Sequence, residues 1–312
     1  MAKILPIDAP EHLCIYHEQY REKTLLFLNK IDTRVIIEHK SVVIDLQNVI
    51  YASAAASLLF FAIVNRAQLL VGDRQVVRFI FPKKNLNTIG HRYIVSTGLS
   101  KALLANSAEK LEELIDEDRY FQSGVNPNKH LQSTTLMLDK TAEFTFEQFY
   151  LLSMGIGEAM LNVSHHAYET VGGIDFTDQI KALGGRRWWQ CAWFDKDKDK
   201  AVFIICDLGL GIAKSYTSLQ QYSEIPDETF LVKEALSCGR SRFAGSGRGN
   251  GSEDIKRPVG EGCTQKETLL VLSGNSRYYY TSADTEPMCY RLNEHIPGTL
   301  VEWTLVPRRA AL

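Results

Sequence analysis

From Phe146 onward, apolar residues recur at Phe149, Leu152, Ile156, Met160, Val163 and Ala167, a three-to-four repeat that predicts an amphipathic helix seated by one side against a core. The other side carries Glu158, Asn162 and His166, each four positions after the last, and on a helix that interval stacks them on one face. Such a helix leaves a carboxylate and an amide looking into a cleft. An asparagine offers a neutral oxygen to a hard cation such as Mg²⁺, and a glutamate beside it can take a proton from an attacking hydroxyl. The same pair on a solvated helix face does neither, so residues further along the chain have to decide.

Forty-five residues after Asn162, the apolar run Ala201-Val-Phe-Ile-Ile-Cys206 ends in Asp207-Leu-Gly209-Leu-Gly211. A carboxylate at the end of a buried strand must find donors or cost several kcal/mol, and a purine's exocyclic amine is one such donor, worth ~1.5–3 kcal/mol. Gly209 and Gly211 permit close approach of the backbone to a flat ring. Read alone, the segment is equally a turn capped by an aspartate. A long polar stretch, 213–246, then leads to Gly245-Ser-Gly-Arg-Gly-Asn-Gly251, whose glycines can turn successive N–H groups toward a triphosphate. Two overlapping motifs fail on chemistry. Gly209-Leu-Gly-Ile-Ala-Lys-Ser215 has Ala213 where a P-loop needs its final glycine, and Lys214 stands where a dinucleotide fingerprint needs a small residue. Asp195-Lys-Asp-Lys-Asp-Lys200 lacks the glycine of a calcium loop and reads as a charged hairpin tip.

In this order, Glu158…Asn162…His166, Asp207-x-Gly209-x-Gly211 and Gly247-Arg-Gly-Asn-Gly251 resemble the successive boxes of the GHKL ATP-binding superfamily, which includes gyrase, heat-shock chaperone, histidine kinase and MutL-type ATPases. The resemblance covers roughly residues 140 to 307. It implies a two-layer α/β sandwich with a mixed sheet, and ATP and Mg²⁺ as cofactors. By the same resemblance Asp207 reads adenine, Asn162 is the metal ligand, and Glu158 is the general base. His166 belongs to the first box; Gly247, Arg248, Gly249 and Gly251 cradle phosphate, and residues 213–246 form a lid. Thr299, in Pro297-Gly298-Thr299, matches a late Gly-Thr whose hydroxyl helps hold adenine through water. Three functions stay open: an ATPase that switches a protein partner, an anti-sigma-like serine/threonine kinase, and a nucleotide-sensing module without turnover. A two-component histidine kinase is disfavoured, because His130 lies in turn-rich sequence and no helix offers a phosphoacceptor histidine.

Ahead of this region, Arg34–Ile37, Ser41–Leu46 and Val76–Phe81 read as strands, Ser53–Arg66 as a helix capped by Ser53, and residues 85–105 as a further helix. Val42-Val-Ile-Asp-Leu-Gln-Asn-Val-Ile50 with the following helix resembles a STAS domain, a fold with a partly parallel sheet, but Ala52-Ser53-Ala54-Ala55 replaces that family's Asp-Ser-Ser-Gly. The expectation for this region is simple capping by Ser53 and a docking or dimerisation role, including a homodimer. The expected division is a STAS-like domain over 1–105, an acidic helix and linker over 106–140, and the ATP-binding domain over 141–312.

Composition narrows the setting. A net charge of −2 gives no general drive toward nucleic acid or anionic membrane, and no apolar run approaches the roughly 20 residues of a spanning helix. The six cysteines lie apart without a C-x-x-C pair, so they read as small buried hydrophobes or free thiols, and the protein is expected to be cytoplasmic.

Overall fold

The computed structural model describes residues 5–117, 119–195, 198–218, 226–237, 251–261, 267–284 and 286–308. The chain is mixed α/β, with strands in three sheets that include both parallel and antiparallel pairs, and forms two compact units. Neither unit is continuous. The first takes Met1–Ser123 and Thr177–Cys191, the second Gly124–Phe176 and Ala192–Leu312. The chain therefore passes between units three times instead of once through a 106–140 linker.

The first unit begins with β1 (Leu5–Asp8), β2 (His12–Leu13) and α1 (Glu18–Asp32), continues through β3 (Val42–Asp45), β4 (Tyr51–Ala52) and α2 (Ala54–Val71), and reaches β5 (Val77–Ile80). Strands β1, β3 and β5 lie parallel in that order, with Ile7 opposite Ile44 and Ile44 opposite Phe79. Parallel neighbours need a crossover, and α1 and α2 supply the two. Ser53 caps α2, its hydroxyl accepting from the Ala56 N–H at 3.4 Å. That hydroxyl belongs to a buried residue, which fits capping. Contrary to the expectation from sequence, α2 is long and apolar enough to cross a membrane; it is the one such helix among the described residues, and 72% of it is buried, as befits a core helix.

Two expectations for this unit are corrected. Arg34–Ile37, rich in β-branched residues and read as a strand, lies in a π-helical turn (Thr33–Ile37) that prolongs α1, with the Glu38 N–H bonded to the Thr33 carbonyl at 2.9 Å. β-branched residues make a strand only where a neighbour can pair with them; here Val35 is buried while Ile37 points outward. The helix expected over 85–105 is instead α3 (Thr88–His91), a π-helical turn (Arg92–Ser96) and α4 (Leu99–Leu103), broken at Gly98. The acidic helix α5 (Ala108–Asp116), capped by Ser107, and β6 (Phe121–Gly124) come next. The returning segment Thr177–Cys191 carries two fully buried tryptophans, Trp188 and Trp189, and the Trp189 indole N–H donates to Asn65 Oδ1 on α2 at 2.9 Å.

The second unit opens with α6 (Pro127–Ala142), where a turn was expected; Pro127 sits at the first helical position, where its missing N–H costs nothing. Helix α7 (Phe146–Asn162) is next. After α8 (Thr177–Ala182) and the first half of β7 (Trp188–Asp195), which belong to the first unit, come β8 (Lys200–Asp207), α9 (Ile212–Thr217), α10 (Glu228–Ala235), α11 (Gly251–Gly260), β9 (Thr268–Thr281) and β10 (Met288–Leu305). Strand β10 runs antiparallel to β8 on one side and to β9 on the other. Helix α11 packs on α7 across Gly155, where an added Cβ would lie 3.0 Å from the Asp254 carbonyl and 3.1 Å from the Pro258 ring. The Trp303 indole N–H on β10 holds α11 through the Ile255 carbonyl, at 2.8 Å.

Candidate functional site

Helix α7 starts where Thr145 accepts a hydrogen bond from the Gln148 N–H, and its inner face buries Leu151, Leu152, Ile156, Ala159 and Met160. Glu158 and Asn162 stand one turn apart on this helix, and the Asn162 side chain acts on the Glu158 carboxylate as a hydrogen-bonding neighbour. Burial pushes the Glu158 carboxyl up, and the nearby charge of Asp254 on α11 adds to that, while the bond to Asn162 pulls it down. His166 follows on a different kind of turn. From Val163 to Ala167 the helix continues as a π-turn, in which the hydrogen-bonded repeat needs five residues rather than four, and His166 lies within it. Its ring meets that of His165 edge-on, with centroids 5.9 Å apart.

The π-turn delivers the end of this helix to the second box. The Ala167 carbonyl accepts from the Leu210 N–H at 2.8 Å, and the buried Tyr168 hydroxyl accepts from the Leu208 N–H at 3.1 Å. Asp207 Oδ1 takes the Gly209 N–H at 2.8 Å, and Ser273 Oγ takes the Ile212 N–H at 2.8 Å. With the N–H groups of 208, 209, 210 and 212 all engaged inside the protein, this glycine turn is no phosphate cradle. It presents the Asp207 side chain instead. Gly209 is required because an added Cβ would come within 2.0 Å of the Ala167 carbonyl oxygen. The close approach that the sequence suggested is thus to the protein's own backbone.

Asp207 is 5% exposed, and burial pushes its carboxyl up to about 7, against the N–H donors of Gly209 and Thr299 that pull it down. Among the described residues no positive charge contributes to that balance. Thr299 is its direct partner across β8 and β10, and also pairs with Ser273 across β10 and β9. Gly298, at φ +66°, makes the approach possible: an added Cβ would lie 2.1 Å from the Asp207 carbonyl oxygen. Ser273 Oγ donates to the Gly298 carbonyl at 3.0 Å and lies 3.4 Å from Thr299 Oγ1.

Asn162, Glu158, Asp207, Gly209, Gly211 and Thr299 therefore belong to one connected region of the second unit. Gly251 begins α11, the helix packed on α7, while Gly247, Arg248 and Gly249 lie outside the described residues, as do Cys238, Cys263 and much of the expected lid. Among the described residues no group of three His, Cys, Asp or Glu could hold a metal ion. A magnesium ion bound through Asn162 would draw its other ligands from phosphate and water. Sequence reasoning missed three participants. Tyr168 stands two residues past His166 but has no polar period to mark it. Ser273 ends an apolar run far along the chain, and Asp254 lies beyond the glycine cluster. Compared with protein families, curated proteins and solved structures, the chain matches none of them.

Proposed function

We propose that the second unit binds a magnesium–adenine nucleotide and hydrolyses it to switch a protein partner, in the manner of GHKL ATPases. The observation that carries this reading is the pairing of Asp207 with Thr299 on a turn bonded to the end of the very helix that holds Glu158 and Asn162. Segments far apart in the chain, 167–168, 207–210 and 299, are joined there by hydrogen bonds and strand pairing, which supports the reading. The fit to a purine rests on Asp207: a buried carboxyl with two backbone donors, and no cation acting on it among the described residues, has room in its chemistry for an N–H from a ligand.

The surroundings of each residue suggest its role. Asp207, once ionised, accepts from an exocyclic amine, and Thr299 stands beside it on the next strand. Asn162 offers its amide oxygen to the cation, which when bound neutralises charge on the phosphates. Glu158, raised toward neutrality and steadied by Asn162, takes the proton from an attacking water. His130 weighs against a two-component histidine kinase. It does lie on a helix, α6, contrary to the expectation, but it is 2% exposed and closed to a phosphoryl donor.

The test is a pair of substitutions read by calorimetry and phosphate release. Asn162→Ala is expected to abolish binding of Mg·ATP. Glu158→Gln is expected to keep binding and to lower turnover by about 10²–10⁴-fold. Full hydrolysis by Glu158→Gln removes that residue from the role of base, and transfer of labelled phosphate to a protein in place of release selects the kinase reading.

A further inference from the structure

Ser273 sits at the meeting point of three segments, and its single proton decides what the others can do. It is 1% exposed on β9, and its oxygen accepts the Ile212 N–H at 2.8 Å at the start of α9. Its proton goes to the Gly298 carbonyl at 3.0 Å, the residue next to Thr299. A hydroxyl has one proton and two lone pairs. With the proton on Gly298 and one lone pair on Ile212, the remaining lone pair faces Thr299 Oγ1 at 3.4 Å. That contact is long for O–H···O, and it is the direction of the proton, not the strength of the bond, that matters. Thr299 finds an acceptor in Ser273, so its own proton turns inward and its lone pairs turn outward.

Thr299 and its cross-strand partner Asp207, once ionised, then offer acceptors side by side. We infer that Ser273 is a positioning and specificity-determining residue: by orienting the Thr299 hydroxyl it makes this edge of the site an acceptor-only surface, which selects a purine carrying an exocyclic amine over one carrying a carbonyl. The inference rests on the reading of the site as a nucleotide site. It adds a residue that never touches the ligand, and it explains why a polar side chain occupies an otherwise apolar buried stretch of β9. A site built to hydrogen-bond a donor discriminates strongly against an analogue that presents an acceptor there, because the buried groups are left unpaired.

The experiment compares dissociation constants for ATP and inosine triphosphate, whose base has a carbonyl in place of the amine, by calorimetry at pH 8 with magnesium. Wild-type protein is expected to prefer ATP. In Ser273→Ala the Thr299 proton is released to point outward, and the ATP-to-inosine preference is expected to narrow by about tenfold, which is 1.4 kcal/mol of discrimination. Thr299→Val is expected to narrow it likewise, and Ser273→Ala in that background to change it no further. Should Ser273→Ala fail to fold, Ser273→Cys, similar in shape but a weak donor and acceptor, is read by the same ratio. A purely structural serine would weaken both ligands in parallel; an unchanged ratio in the folded variant therefore overturns the role of Ser273 and leaves the nucleotide site standing. Equal binding of the two triphosphates by wild type also overturns it. Wild-type protein that binds neither overturns this inference and the proposed function together.

Discussion

Asp207 holds its proton against a background of N–H donors because burial outweighs them, and the consequence is a measurable dependence of stability on pH. Unfolded, the carboxyl titrates near 3.8; folded, near 7. Between those values the native state keeps a proton that the unfolded chain has released. The stability from this group is thus fully present below pH 3.8 and lost as pH rises through 7, a difference on the order of 4 kcal/mol. Asp207→Asn does not titrate, so urea unfolding is expected to show the variant gaining on wild type from pH 5 to pH 8, while its nucleotide binding is lost. A constant difference across that range would mean that Asp207 is not buried as a titrating acid. For wild type, nucleotide affinity is expected to fall several-fold from pH 8 to pH 6, since an exocyclic amine needs the ionised form; isothermal titration at the two values checks it. Asp207 could be read from sequence because an apolar run ends on an acid followed by glycines. Ser273 could not, because its three partners, Ile212, Gly298 and Thr299, all lie more than twenty residues away along the chain.

Among the elements, α7 matters most, and it works through its irregular end. A regular helix would use the Ala167 carbonyl internally or leave it to solvent; the π-turn aims it at the Leu210 N–H, with Tyr168 alongside on Leu208. Tyr168→Phe leaves the buried Leu208 amide without its acceptor, an expected cost of about 1–3 kcal/mol. Hydrogen exchange is expected to speed at 208–210 well before it does in β8, and uniform exchange through both would show that the hydroxyl does not hold the turn. The α7 period was legible because core packing repeats every three to four residues. The π-turn was not, since nothing local in Val163–Ala167 separates it from ordinary helix. Helix α6 was hidden for a related reason: Asn126, Pro127 and Asn128 are turn residues by composition, and only the helix continuing beyond them shows that Pro127 opens it. Thr33–Ile37 misled in the opposite sense, its β-branched residues lacking a strand to pair with.

At the level of the whole molecule the chain is threaded, with one unit completed only after part of the other has been laid down. Composition shifts pointed to a boundary in 106–140 because they register solvent exposure, and a segment that leaves and returns has no such mark. A fragment of residues 1–123 lacks the two tryptophans of the first unit and the indole donor to Asn65. It is expected to unfold at markedly lower urea than the same unit in the full chain, and to regain stability when a peptide of residues 177–191 is added; indifference to the peptide would show that these side chains are not part of that core. Synthesis imposes the same order in time. When Ser123 leaves the ribosome, the amino-terminal unit still waits on its segment 177–191, and at roughly 5–20 residues per second it waits several seconds, through the emergence of α6 and α7. During that interval Asn65 on α2 lacks its native indole partner, so a stall between codons 123 and 191 is expected to leave the amino-terminal unit less protected than a stall after them.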